Sequence, residues 1–260
     1  MGVHQPVARG VASVASQPAA FFAALWRAPS VTLARIILEG YVRSGWVWGE
    51  VVLVLAQFAA LMEFAGNTSY WFDTLALGLG GQAILGTALM VHRAFGARAY
   101  LPLTRLAHRA PYPRALVLAS SALRVPLFAL YLLCILLSGR LTNPTPGGIF
   151  SGTVGLLAGS MVLVAATVLL SPPIATRLHR ILFLVWLVLA LATFGYDGPL
   201  APLVAMTHLP LLPIAASFAF GARGAIGWPG LGALALDALL VGALILLAQA
   251  LFARRDLLAN

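Results

Sequence analysis

Long apolar runs separated by short polar interruptions make up most of this chain. Runs at 46–64, 71–91, 115–137, 152–170, 178–194 and 231–252 each approach the roughly 20 residues that a helix needs to cross a bilayer core. Alternating ten-residue strands of the barrel kind are absent, so six transmembrane helices are expected. Ahead of them, residues 30–44 are amphipathic. Arg35, Glu39 and Arg43 recur every four residues on one face, and Leu33, Ile36, Ile37 and Tyr41 populate the other. That pattern predicts a helix lying in the membrane interface with its arginines at headgroup level, and Ser30 is placed to cap it. Residues 200–222 are apolar and long enough to span, yet Pro199, Pro202, Pro210 and Pro213 punctuate them. Proline removes a backbone donor and restricts the residue before it, and irregular backbone survives at membrane depth only where protein or a water-filled cavity covers it. Two half-helices that dip in and return are expected there, turning near Pro210-Leu211-Leu212-Pro213. The fold class predicted is all-α: one membrane domain over 28–257, preceded by a mobile cytoplasmic leader at 1–27.

Composition sharpens the class. The chain has 260 residues, 61% hydrophobic and only 9% charged, where a soluble domain carries about 25% charged residues. The net charge is +9 and every basic residue is arginine. A soluble protein so basic would suggest nucleic acid, but no zinc pattern or RNP-like aromatic motif is present. Basic residues instead collect in cytoplasmic loops and favour anionic headgroups, making membrane lipid the expected partner. With six spans and both termini in the cytoplasm, fourteen of the 16 basic residues fall inside, leaving Arg140 and Arg223 outside. A seventh span over 200–222 would carry Arg254 and Arg255 outside. The densest basic stretch is 93–114, with five arginines and no acid between two apolar runs. Cys134, the lone cysteine, excludes an intrachain disulfide.

Catalytic signatures are missing: there is no P-loop, no His-Glu-x-x-His, no Gly-x-Ser-x-Gly and no closely spaced carboxylate pair. Ionisable residues inside spans are functional candidates, and Glu50 stands out, sharing a helix face with Gln57 seven residues on. Its alternative is a pairing with an inner-side arginine such as Arg43 or Arg124. Glu63, Asp73, Asp197 and Asp237 are expected near the outer surface, solvated. His92 and His179 both fall near the inner surface, so a haem- or quinone-binding anchor of a redox complex is the rival function; an assembly subunit of a larger membrane complex is a third.

The order of parts has a known counterpart. Gly96-Ala97 and Leu101 stand where one family has a Gly-Thr followed by leucines. Ala110-Pro111-Tyr112-Pro113-Arg114 stands where it has Arg-Pro-x-x-Arg before the third span, and Leu251-Phe252-Ala253-Arg254-Arg255-Asp256 looks like its tail. With the leading interfacial helix, six spans and a broken segment between spans five and six, the chain resembles the membrane subunit of ABC-2 type ABC transporters over about residues 28–257. The resemblance implies a permease, not itself an enzyme, and an exporter of the plasma (inner) membrane. It implies a second permease subunit, identical or different, and separate ABC ATPase subunits that hold the ATP and magnesium; no cofactor is expected in this chain. The loop at 93–114 would dock on the ATPase through Tyr100, Leu101, Leu103 and Leu106, with Arg98, Arg105 and Arg109 on one helical face beside them. Glu50 and Gln57 would face a pathway between paired subunits, and Pro210 and Pro213 would belong to an outer gate.

Overall fold

The computed structural model describes residues 29–61, 66–95, 111–192, 206, 208, 211–212, 214–217 and 227–254. Seven helices dominate them: α1 Pro29–Arg43, α2 Trp46–Leu61, α3 Thr68–Ala94, α4 Pro111–Ser138, α5 Pro146–Leu169, α6 Arg177–Ala192 and α7 Trp228–Arg254. Two short strands, β1 Gly66–Asn67 and β2 Leu141–Thr142, pair in parallel. Local chemistry sets the starts. Asn67 caps α3 by accepting from the Tyr70 N–H at 2.9 Å, and Thr145 caps α5 by accepting from Gly148 N–H at 3.2 Å, with Pro146 in the first turn. Ser30 does not cap α1: the helix already includes Pro29, so Ser30 lies inside the first turn and is buried.

α3, α4, α5 and α7 are each long and apolar enough to cross a membrane, and α1 with α2 makes a fifth such unit if counted as one bent pair. α2 and α6 are described over 16 residues each, about 24 Å of helix against a core of roughly 30 Å. Large apolar side chains on the outer surface, such as Leu77, Leu137 and Leu239, are more than 70% exposed, as hydrocarbon-facing residues of a helical membrane protein should be. The chain is therefore an α-helical membrane protein.

Between α1 and α2 the chain bends by 74°. Gly45 makes the turn with φ +79°, a left-handed conformation that glycine adopts without a Cβ penalty, and Ser44 seals it by donating through Oγ to the Tyr41 carbonyl at 2.5 Å. On α1, Leu33, Ala34 and Tyr41 are buried while Arg35 and Glu39 form an exposed ion pair at 2.7 Å, so the amphipathic pattern is realised. Ile36, expected on the apolar face, is 55% exposed.

α3 packs along α5, α1 along α4, and α7 along α5. α6 stands off: among the described elements it makes no extensive packing with any other helix. α4 runs unbroken through Pro126. Aromatic contacts fix the directions. The Phe95, Tyr112 and Phe252 rings pack together, with centroids 5.0 to 6.0 Å apart, and Tyr112 donates to the Ala94 carbonyl at 2.9 Å. The end of α3, the start of α4 and the end of α7 thus share one side of the bundle. β1 and β2, which precede α3 and follow α4, lie at the other end.

Candidate functional site

A polar seam runs through the apolar bundle. Glu50 of α2 and Arg124 of α4 are each 3% exposed, with Arg124 Nη2 2.5 Å from Glu50 Oε2. Tyr41, carried in by the bend after α1, donates to Glu50 Oε1 at 2.6 Å. Arg124 Nη1 donates to the Gln82 carbonyl at 3.0 Å, and Gln82 Nε2 donates to the Glu50 carbonyl at 3.2 Å. Four helices meet at this one ion pair. Taking two charges out of water costs several kcal/mol per ion, and the extra hydrogen bonds offset part of that cost by serving the remaining donors and acceptors.

The seam has a second tier. Tyr131 donates to Gln57 Oε1 in a short hydrogen bond. Glu50 and Gln57 are seven apart on α2, and their partners Arg124 and Tyr131 are seven apart on α4, so the tiers lie along one helix–helix contact. α3 closes the seam with Gly78, Gln82 and Gly86, spaced by four. A methyl added at Gly86 would stand 2.5 Å from Glu50 Oε2, and closer still to Arg124 Nη2; at Gly78 it would stand 3.1 Å from the Tyr131 hydroxyl. These two glycines make room for the polar side chains of the neighbouring helices.

The face shared by Glu50 and Gln57 is therefore turned onto α4, and of the two arginines open to Glu50 the structure selects Arg124. Arg43 is exposed at the end of α1. The partners Tyr41, Gln82 and Tyr131 were not foreseen; the repeat of seven at 124 and 131 is the signal that matches 50 and 57. The docking candidates Arg98, Tyr100, Leu101, Leu103, Arg105, Leu106 and Arg109 lie outside the described residues, as do the gate candidates Pro210 and Pro213, the leader, Glu63 and Asp197. Asp73 is exposed as expected. Asp237 is not: it is 2% exposed and receives a short hydrogen bond from Ser217. α7 turns this carboxyl inward onto residues 214–217, which a hydropathy pattern cannot foresee.

Apart from the seam lies a cavity of about 780 Å³ between α3, α5, α6 and α7, also reached by Leu211 and Ile214. Neither Glu50 nor Gln57 lines it. His92 is on its wall, whereas His179 is exposed, with Nδ1 2.5 Å from Thr176 Oγ1; the two histidines are not brought onto one wall. No family model, curated protein or solved structure matches the chain.

Proposed function

We propose that this chain is the membrane subunit of an ATP-driven transporter of the ABC-2 type, working as a pair with a second permease subunit and driven by separate ATPase subunits. The observation that carries the proposal is the arrangement of helix ends. An amphipathic helix bends by 74° into the first membrane helix, and residues 96–110 connect α3 to α4 on the side where α7 ends, joined by the Phe95–Tyr112–Phe252 cluster. α3, α5 and α7 then point the same way, with α4 opposed. If α6 crosses once, residues 193–227 return to the side they left, which supports six spans with a re-entrant pair over a seventh span. The arginine distribution supports placing the 96–110 side and both termini in the cytoplasm. In this scheme Glu50 and Gln57 fix the permease's own helix packing, and the soluble ATPase pushes on the loop.

The test uses a Cys134→Ser chain carrying Arg105→Cys, cross-linked in native membranes. The expected adduct is a protein with a P-loop that hydrolyses ATP when purified with this chain. Modification of position 105 by an impermeant thiol reagent from outside, or adducts lacking any ATPase, would overturn the proposal. So would a Soret band in the purified protein, which belongs to the haem-anchor alternative.

A further inference from the structure

The cavity beside α6 has a wall of uneven chemistry. Val162, Ala166, Leu240 and Leu244 represent most of it. Polar groups gather towards one end, where His92 closes α3 and Arg180 opens α6, and no acid lies on the wall among the described residues. The hydroxyls of Thr167 and Ser171 are already spent on carbonyls of α5, Leu163 at 2.7 Å and Val168 at 2.6 Å. Arg180 Nε, by contrast, is buried without a hydrogen-bond partner among the described residues. A guanidinium donor left unpaired in an apolar setting is costly, and its geometry suits a phosphate.

Dimensions narrow the occupant. On α3 the cavity extends from Ile84 to Phe95, about 16 Å along the helix, close to half of a bilayer core roughly 30 Å thick. Its volume of about 780 Å³ is in the usual range for small-molecule sites. Protein interiors are close-packed, yet among the described residues α6 packs extensively on no other helix and the cavity lies between them. Hydrocarbon from one leaflet fits this space, with a negative headgroup at the arginine end, beside the arginine-rich loops. Basic pockets between membrane helices on that side favour acidic lipids.

We propose that this cavity is a binding site for an acidic phospholipid, whose acyl chains occupy the space between α6 and α3, α5 and α7 and whose phosphate is held by Arg180 with His92 beside it. The site does not depend on the transport assignment, and its test needs no ATPase. Wild type, Arg180→Gln, Arg180→Lys and Ala166→Phe would be purified in mild detergent and titrated with phosphatidylglycerol or phosphatidylcholine, bound lipid being counted by native mass spectrometry. Wild type is expected to hold one phosphatidylglycerol at least ten-fold more tightly than phosphatidylcholine. Arg180→Gln should erase that preference, Arg180→Lys should keep most of it, and Ala166→Phe should expel both lipids by filling the apolar wall. Inorganic phosphate at equal concentration should not compete, because the chains carry much of the binding. Equal retention of the two lipids by wild type would overturn the proposal, as would an unchanged preference in Arg180→Gln. Should Arg180→Gln fail to fold, displacement of phosphatidylglycerol by Ala166→Phe decides: retention there also overturns the site.

Discussion

Arg124→Met is the most informative single change. It removes the guanidinium from a pair in which both partners are 3% exposed and leaves the Glu50 carboxylate, among the described residues, with the Tyr41 hydroxyl 2.6 Å away. It also strips the Gln82 carbonyl of its 3.0 Å donor. Breaking a buried pair from one side costs about 3–5 kcal/mol, because the surviving charge stays buried. Glu50→Gln keeps a single acceptor oxygen, which serves either Tyr41 or Arg124 and not both, since the two donate to different carboxylate oxygens. It also leaves the Arg124 charge buried without its counter-ion, so a cost of about 3–5 kcal/mol is expected here too. Removing both charges together, as Glu50→Leu with Arg124→Met, should restore much of the stability, since an apolar pair of similar volume is often neutral or better; adding Tyr41→Phe removes the last stranded hydroxyl. Equilibrium unfolding in mixed micelles with a denaturing detergent would supply the free energies for a double-mutant cycle. An Arg124→Met cost below about 1 kcal/mol, the value of a solvated pair, would refute the reasoning, as would a double mutant as unstable as the sum of its parts.

Gly86→Ala should destabilise by about 1–3 kcal/mol through overpacking against the ion pair, while Gly81→Ala, whose methyl meets nothing within 4 Å, should be neutral or stabilise by up to about 1 kcal/mol; the same unfolding assay compares them, and equal effects would count against the seam. On the proposed transport reading, Tyr100→Ala with Leu106→Ala should abolish substrate-stimulated ATP hydrolysis by the reconstituted assembly while the chain still inserts, buried anchors costing about 2 kcal/mol or more each; wild-type hydrolysis would remove the proposed coupling role from the loop. Gly45→Val should disturb the bend, because its φ of +79° is a genuine outlier for a β-branched residue, and should lower thermal stability in detergent together with the Tyr41–Glu50 contact. Unchanged melting would mean the bend is not set by that residue.

The helices were largely legible because membrane spans announce themselves by length and apolarity. The amphipathic helix expected at 30–44 is found at Pro29–Arg43, and the run at 231–252 is found within Trp228–Arg254. Starts were harder to read. Nothing in the apolar pattern marks Asn67 as a cap, and only the structure shows it capping α3. β1 and β2 are two residues each, too short for any alternation to register. Glu50 had two arginines within plausible reach, and spacing alone does not choose between them. The choice is made by the bend at Gly45, which leaves Arg43 exposed and brings Tyr41 onto the carboxylate. Asp237 and the cavity were illegible for a related reason: each depends on which helix stands opposite, and a pattern along one helix does not carry that information.

The aromatic cluster at Phe95, Tyr112 and Phe252 has a mechanical consequence. Phe252 is fully buried, so the ends of α3 and α4 cannot part without uncovering it. A load applied at the Phe95–Tyr112 clasp therefore reaches three helices together, as torque on a bracket and not as strain in a slack hinge. α3 has 27 residues, making it a lever about 40 Å long. A tilt of about 5° at the clasp would swing its far end by roughly 3.5 Å, where the two-residue strand pair is the light tether that has to follow.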